Sequence, residues 1–228
     1  MLSVNVRYKQ KLNHSPHTHQ STMFLKPLQR NYLISCLGML LMTACPSIAQ
    51  LKAERPNLVV VMLGDSITHA GPWKSLFPNT QIINRGISGY STHDLLREMS
   101  STIALGPGKI FLMIGINDLL RGASVEETFN RYILILNALE KSGAKVFVEA
   151  TLECAREQCG ATVDAVRALN QRLKNTAQER ALTFIDLNPG LTDQTRGLLK
   201  LYTTDGLHLT TLAYTYWAKA IANMVREE

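Results

Sequence analysis

From residue 58 onward, short unbroken apolar runs alternate with longer stretches in which apolar residues recur every three to four positions. Leu58–Leu63 is a β-branched run that stops at Gly64. Gln81–Asn84, Ile110–Ile114, Lys145–Ala150 and Leu182–Asp186 follow as further short runs. Runs without a polar alternation suit strands covered on both faces. Between them lie helical patterns. Ser91–Ser101 opens on residues that cap helices well. A longer helix opens at Ser124, whose spacing to Glu127 makes a capping box. It carries Phe129, Ile133, Leu136 and Leu139 at helical spacing and stops at Gly143. Thr162–Arg180 repeats the pattern with Val166, Leu169 and Leu173, and Thr210–Arg226 closes the chain. Strands alternating with helices predict βαβ units, hence an α/β fold with a parallel sheet between helices.

The first 49 residues break this pattern. Lys26 and Arg30 precede an apolar stretch from Tyr32 to Ala44, too short for a comfortable membrane span and suited to a signal-peptide core. Two exits are written after it. Ser47-Ile48-Ala49 offers small residues for a cut before Gln50, and Leu41-Met42-Thr43-Ala44-Cys45 resembles a lipoprotein box in which Cys45 would be lipidated. Met42 is a weak residue for that box, which favours soluble export, periplasmic or secreted. A membrane association through Cys45 is the alternative. The polar stretch before Met23 holds His14, His17 and His19, and either Met1 or Met23 is the start. Residues 1–49 are therefore expected to be a leader, and residues 50–228 a single domain.

Composition narrows the function classes. The 46% hydrophobic and 18% charged fractions belong to a globular chain. The net charge of +6 suggests a polyanion partner, but Arg7, Lys9, Lys11, Lys26 and Arg30 stand in the leader with no acidic residue beside them. Only +1 of the +6 is left for residues 50–228, so no nucleic-acid partner is expected. Cys36 and Cys45 lie in the leader. Cys154 and Cys159 are read equally well as a small-loop disulfide, which export would permit, or as two free thiols.

The chemistry-bearing residues collect at the carboxyl ends of the expected strands, where such sheets bind ligands. The first run ends in Gly64-Asp65-Ser66-Ile67, and the second in Asn84-Arg85-Gly86-Ile87-Ser88-Gly89. The third ends in Gly115-Ile116-Asn117-Asp118, and the loop before the last helix reads Thr204-Asp205-Gly206-Leu207-His208. A serine hydroxyl needs a base to accept its proton, and His208 can serve. Asp205, three residues earlier, can accept the Nδ1 proton of that histidine and fix its tautomer.

Taken together, these four blocks resemble the SGNH (GDSL) hydrolase family, in order and from Val59 to the C-terminus. The resemblance implies a three-layer flavodoxin-like sandwich of about five parallel strands. It implies a serine-dependent carboxylic ester hydrolase working through an acyl-enzyme on a small-molecule ester, with no cofactor and no metal. Ser66 would be the nucleophile, His208 the base and Asp205 its orienting partner. The backbone N–H groups of Ser66 and Gly86 and the side-chain amide of Asn117 would hold the oxyanion. The Asn84–Gly89 run resembles the branch of platelet-activating-factor acetylhydrolase-like proteins and carbohydrate acetylesterases, which favours short acyl esters such as O-acetylated carbohydrates. The compact length also resembles thioesterases and lysophospholipases acting on longer chains. From a different class, the same fold could be a non-catalytic carbohydrate- or envelope-binding module.

Several residues keep plainer readings. His69 and His93 are expected at the surface or pocket rim. Asp186 is expected to cap the turn into Asn188-Pro189. Trp73 and Tyr90 either line the substrate pocket or pack half-buried in the core. Gly86-Ile87-Ser88-Gly89 is not the nucleophile elbow of α/β-hydrolases. Gly106-Pro107-Gly108-Lys109 lacks the earlier Gly and following hydroxyl of a phosphate loop.

Overall fold

Val60–Gly64 (β1) pairs in parallel with Ile82–Gly86 (β2) on one side and Lys109–Met113 (β3) on the other, and is buried at every position. The sheet continues through Lys145–Glu149 (β4) to Thr183–Ile185 (β5), all parallel, in the order β2-β1-β3-β4-β5. The computed structural model describes residues 59–226. The expected signal core, both processing sites and the start at Met1 or Met23 lie outside the described residues. Within them the α/β expectation holds, with a five-stranded parallel sheet surrounded by helices.

The helices are α1 (Ser66–His69), α2 (Trp73–Leu76), α3 (Thr92–Ile103), α4 (Ile116–Leu120), α5 (Val125–Lys141), α6 (Arg156–Cys159), α7 (Thr162–Glu179), α8 (Asn188–Leu191) and α9 (Thr211–Arg226). Helix α3 packs on α5 and α5 on α7, while α9 meets α2. The four long helices fall where apolar periodicity predicts them. Ser91 and Ser124 are both N-caps of full capping boxes, Ser91 with Asp94 and Ser124 with Glu127. Gly143, at φ +81, follows the end of α5. Aromatic rings fill the layers: Phe111 of β3 stacks on Phe147 of β4 with centroids 4.4 Å apart. Trp73, Tyr214 and Trp217 form an edge-and-stack cluster between α2 and α9. Trp73 is thus core, and its indole N–H donates to the Thr68 carbonyl at 2.9 Å.

Two features depart from the sequence reading. The second strand runs two residues further than expected, to Gly86, which pairs in register with Gly64. The chain between β5 and α9 also holds unexpected structure: a short antiparallel hairpin, Thr192–Asp193 (β6) with Gly197–Leu198 (β7), then a 3₁₀ turn at Lys200–Tyr202. Strands of two residues carry too little pattern to show in a sequence.

Candidate active site

Ser66 is the first residue of α1, two positions beyond Gly64 at the end of β1. Asp65 makes that turn. It is buried, and its Oδ1 accepts from the Ile67 N–H at 2.9 Å, an N-cap that sets the helix start one residue after the strand. Burial drives the Asp65 carboxyl up to about 7, against the Ile67 hydrogen bond and the nearby His208, with Asp118 adding to the rise.

The loop 203–209 brings the base to the serine. The Thr204 N–H donates to the His208 carbonyl at 3.0 Å, and the Thr203 hydroxyl donates to the same oxygen at 2.8 Å. Inside this closed turn Asp205 Oδ1 accepts the backbone N–H groups of Leu207 and His208, at 2.9 and 2.7 Å. Its other oxygen, Oδ2, lies 2.6 Å from His208 Nδ1. A carboxylate only accepts, so Nδ1 carries the proton and Nε2 is left as an acceptor. Nε2 lies 3.0 Å from Ser66 Oγ. Partial burial works against ionisation of Asp205, but the His208 side chain and the two backbone donors outweigh it and hold the carboxyl down to about 2. Ser66, His208 and Asp205 therefore form one unbroken hydrogen-bonded row, from a partly exposed hydroxyl to an ionised carboxylate.

Across the site, α4 and its C-cap residue Arg121 face the 87–92 loop with three side chains. Asn117 Nδ2 donates to the Tyr90 carbonyl at 2.9 Å. Arg121 donates to the Gly89 carbonyl at 2.6 Å. Buried Asp118 accepts from the backbone N–H and hydroxyl of Thr92, at 2.8 and 2.5 Å. An amide nitrogen has two protons, so Asn117 keeps a second donor after serving Tyr90. Asp118 and Arg121 were not expected to contribute. Their signal was their place beside Asn117, Asp118 one residue on in the same short helix and Arg121 at its C-cap.

The expectation for Gly86 needs correction. Its N–H donates to Asn84 Oδ1 at 2.9 Å, so this amide is already engaged. The missing side chain serves another purpose. A Cβ on Gly86 would lie 2.2 Å from the His69 backbone N, where α1 crosses the end of β2. His69 itself is exposed and sits at the rim, with Nδ1 3.0 Å from the Gly86 carbonyl. Further along the loop the Ile87 N–H returns to the Gly64 carbonyl and the Tyr90 N–H to the Ile87 carbonyl. Between them stands Gly89, at φ +78. Asp186 takes its expected capping role and accepts from the Asn188 N–H at 3.0 Å. Cys154 and Cys159 are joined as a disulfide, which resolves the two readings of that pair.

Comparison with known proteins gives the family and the fold. Residues 62–216 match the sequence profile of the GDSL-like lipase/acylhydrolase family. A GDSL-like lipase from Bacteroides thetaiotaomicron superposes with a TM-score of 0.70 at 22% identity, covering 75% of this chain and 89% of that one. A Streptococcus pneumonia protein named for platelet activating factor gives 0.66 at 29% identity, with 76% and 86% covered. An acetyl xylan esterase gives 0.63 at 19% identity, with 74% and 100% covered. Among curated sequences, an N-acylneuraminate cytidylyltransferase of Streptococcus agalactiae is 25% identical over 151 residues. That match takes in 66% of this chain but 34% of the relative, so the chain spans about a third of that protein's length.

Proposed function

Because the chain belongs to the GDSL-like lipase/acylhydrolase family, we propose that it is a carboxylic ester hydrolase in which Ser66 opens the reaction by attacking the ester carbonyl. The observation that carries this is the row from Ser66 Oγ through His208 to Asp205. As the Oγ–carbon bond forms, the hydroxyl proton passes to Nε2, and Asp205 stabilises the resulting imidazolium. Collapse of the tetrahedral intermediate breaks the bond to the leaving alkoxide, which takes that proton. Water then repeats the sequence on the acyl-enzyme and frees Ser66. The second N–H of Asn117 and the Ser66 amide are two donors for the oxyanion. The third is the Gly89 amide at the crest of the loop, in place of the engaged Gly86.

The acyl group is short, of the acetyl class, and the alcohol is a carbohydrate. Two observations support this. An acetyl xylan esterase shares the fold. The cavity beside the catalytic loop is rimmed by Arg156, Glu157, Thr195, Arg196 and Lys200, a polar surface suited to a sugar. The disulfide supports an exported protein. Mass spectrometry of the mature N-terminus separates Gln50 from a lipidated Cys45.

A fluorophosphonate should label folded protein at Ser66 and leave the Ser66→Ala variant unlabelled. Absence of any adduct would support a binding module instead. Across p-nitrophenyl esters from acetate to octanoate, kcat/KM should be highest for acetate. A maximum at octanoate would transfer the enzyme to the long-chain acyl hydrolases.

A further inference from the structure

Beside the loop that carries His208 lies a cavity of about 390 Å³, lined by Ala155, Arg156, Glu157, Thr195, Arg196, Leu198, Leu199 and Lys200. Its walls are the segment after β4, the β6–β7 hairpin and the 3₁₀ turn. Three features make it a built site rather than a surface dent. Its walls are tied together: the Cys154–Cys159 disulfide closes one segment, and the Arg156 N–H donates to the Arg196 carbonyl at 2.7 Å. It is tied to the catalytic loop as well, since the Ala155 N–H donates to the Gly206 carbonyl at 2.7 Å, two residues before His208. Its surface is also two-sided. Ala155 and Leu198 are buried and Leu199 is partly so, which gives an apolar floor. Arg156, Arg196 and Lys200 stand around it against one lining carboxylate, Glu157.

The cations are not equivalent. Arg156 is spent on structure, with paired bonds to Asp164 at 2.8 and 2.7 Å and a third to the Thr195 carbonyl. Arg196 and Lys200 are exposed. Asp193 stands near Arg196, but it already receives the Thr195 and Arg196 N–H groups and the Thr195 hydroxyl on one oxygen. An apolar floor meets the C–H face of a sugar ring, and two exposed cations meet one negative group. Glu157 on the rim, with Asp164 and Asp193 behind it, disfavours a dianion.

We propose that this cavity is a subsite for the alcohol half of the ester, and that it binds an acidic sugar through its carboxylate. Arg196 and Lys200 hold the carboxylate while Leu198 and Leu199 support the ring. This inference rests on the ester-hydrolase reading and adds the charge of the substrate to it. Uniform binding of the anion lowers KM for charged esters. At moderate ionic strength, two exposed cations give about a tenfold preference.

The test compares the acetate esters of methyl glucuronoside, of methyl glucoside and of glycerol 3-phosphate. The full-length protein should turn over the glucuronoside ester with a kcat/KM about tenfold above the neutral glucoside ester. That ratio should fall toward one in Arg196→Gln/Lys200→Gln, and between 20 and 300 mM salt it should shrink through KM. A ratio near one with brisk turnover of the glucoside ester overturns the subsite and leaves the hydrolase intact. Preference for the glycerol phosphate ester overturns the sugar-acid assignment. Turnover of none of the esters strikes the hydrolase reading, and a direct measurement then still decides the cavity. Methyl glucuronoside titrated into the unaltered protein should perturb the Leu198 and Leu199 methyl signals. The double variant should not respond. Silence in the unaltered protein overturns the subsite on its own.

Discussion

The Asn117 side-chain amide donates one of its two protons to the Tyr90 carbonyl, at 2.9 Å. That bond fixes which end of the amide is nitrogen and which way it faces. In the proposed oxyanion hole, the second proton would then need no reorganisation at the moment of reaction. Replacing Asn117 with Ala should lower kcat about 10²–10³-fold with little change in KM. Asn117→Asp keeps the shape and removes both donors, so it should be at least as impaired. Steady-state kinetics on p-nitrophenyl acetate would read this, and a loss confined to KM would remove Asn117 from the oxyanion hole.

Arg121 acts on the same loop from one helical turn further along. Its guanidinium holds the Gly89 carbonyl at 2.6 Å and lies 3.8 Å from the Asp94 carboxylate. Its guanidinium is engaged by the loop carbonyl and the Asp94 carboxylate, which makes it a positioning residue. Arg121→Ala should reduce kcat about tenfold and raise the inhibition constant of a boronic acid on Ser66 in parallel, while KM holds. Arg121→Lys, which retains one donor, should recover part of the loss. Should boronate affinity stay constant while stability falls, the residue is a surface tie only.

Gly86 gives the opposite signature. Its absent side chain is required by backbone, since the nearest atoms to an added Cβ are His69 N at 2.2 Å, His69 Cα and Thr68 C, both at 2.7 Å. None of these is the end of a flexible side chain, so α1 or β2 must shift. Gly86→Ala should cost about 1–3 kcal/mol in urea unfolding, and activity should fall with the displaced Ser66 helix. Unchanged stability with selective loss of kcat would return the Gly86 amide to the oxyanion hole.

These cases show where the sequence was readable. Ser66, Asp205 and His208 stood out because each sits at a strand end or in a loop, in a spacing whose chemistry is local: Asp205 can reach His208 across three residues whatever the rest does. The four long helices and the five strands were legible for the same reason, as periodicity sums over many residues. Gly86 was misread because a glycine in a motif does not say which of its two faces is crowded. The crowding comes from α1, which returns to β2 from the other side of a tertiary contact. The work of Asp118 and Arg121 likewise depends on how α4 approaches the 87–92 loop. The basic cavity depends on a two-residue hairpin below the length at which a pattern forms.

One consequence for stability follows from Glu149, at the end of β4. It is buried, accepts from the Trp217 indole N–H at 2.6 Å through Oε1, and leaves Oε2 without a partner. Burial raises its carboxyl to about 8, against the Trp217 bond. In the unfolded chain the group titrates near the usual 4.5. Between those values the native state therefore holds a proton that the unfolded state has released. Its stabilisation is fully present below about pH 4.5 and is lost as pH rises through 8. Asp65, raised to about 7, adds a loss of the same sign. Glu149→Gln keeps the acceptor for Trp217 and removes the titration. Relative to the unaltered protein, the variant should gain stability from pH 5 to about pH 8 and hold level above it, by a few kcal/mol in all at roughly 1.4 kcal/mol per pKa unit. The residual slope in the variant belongs to Asp65 and should vanish when Asp65→Asn is added. Parallel stability curves for the unaltered and Glu149→Gln proteins across that range would show that Glu149 ionises without cost where it stands.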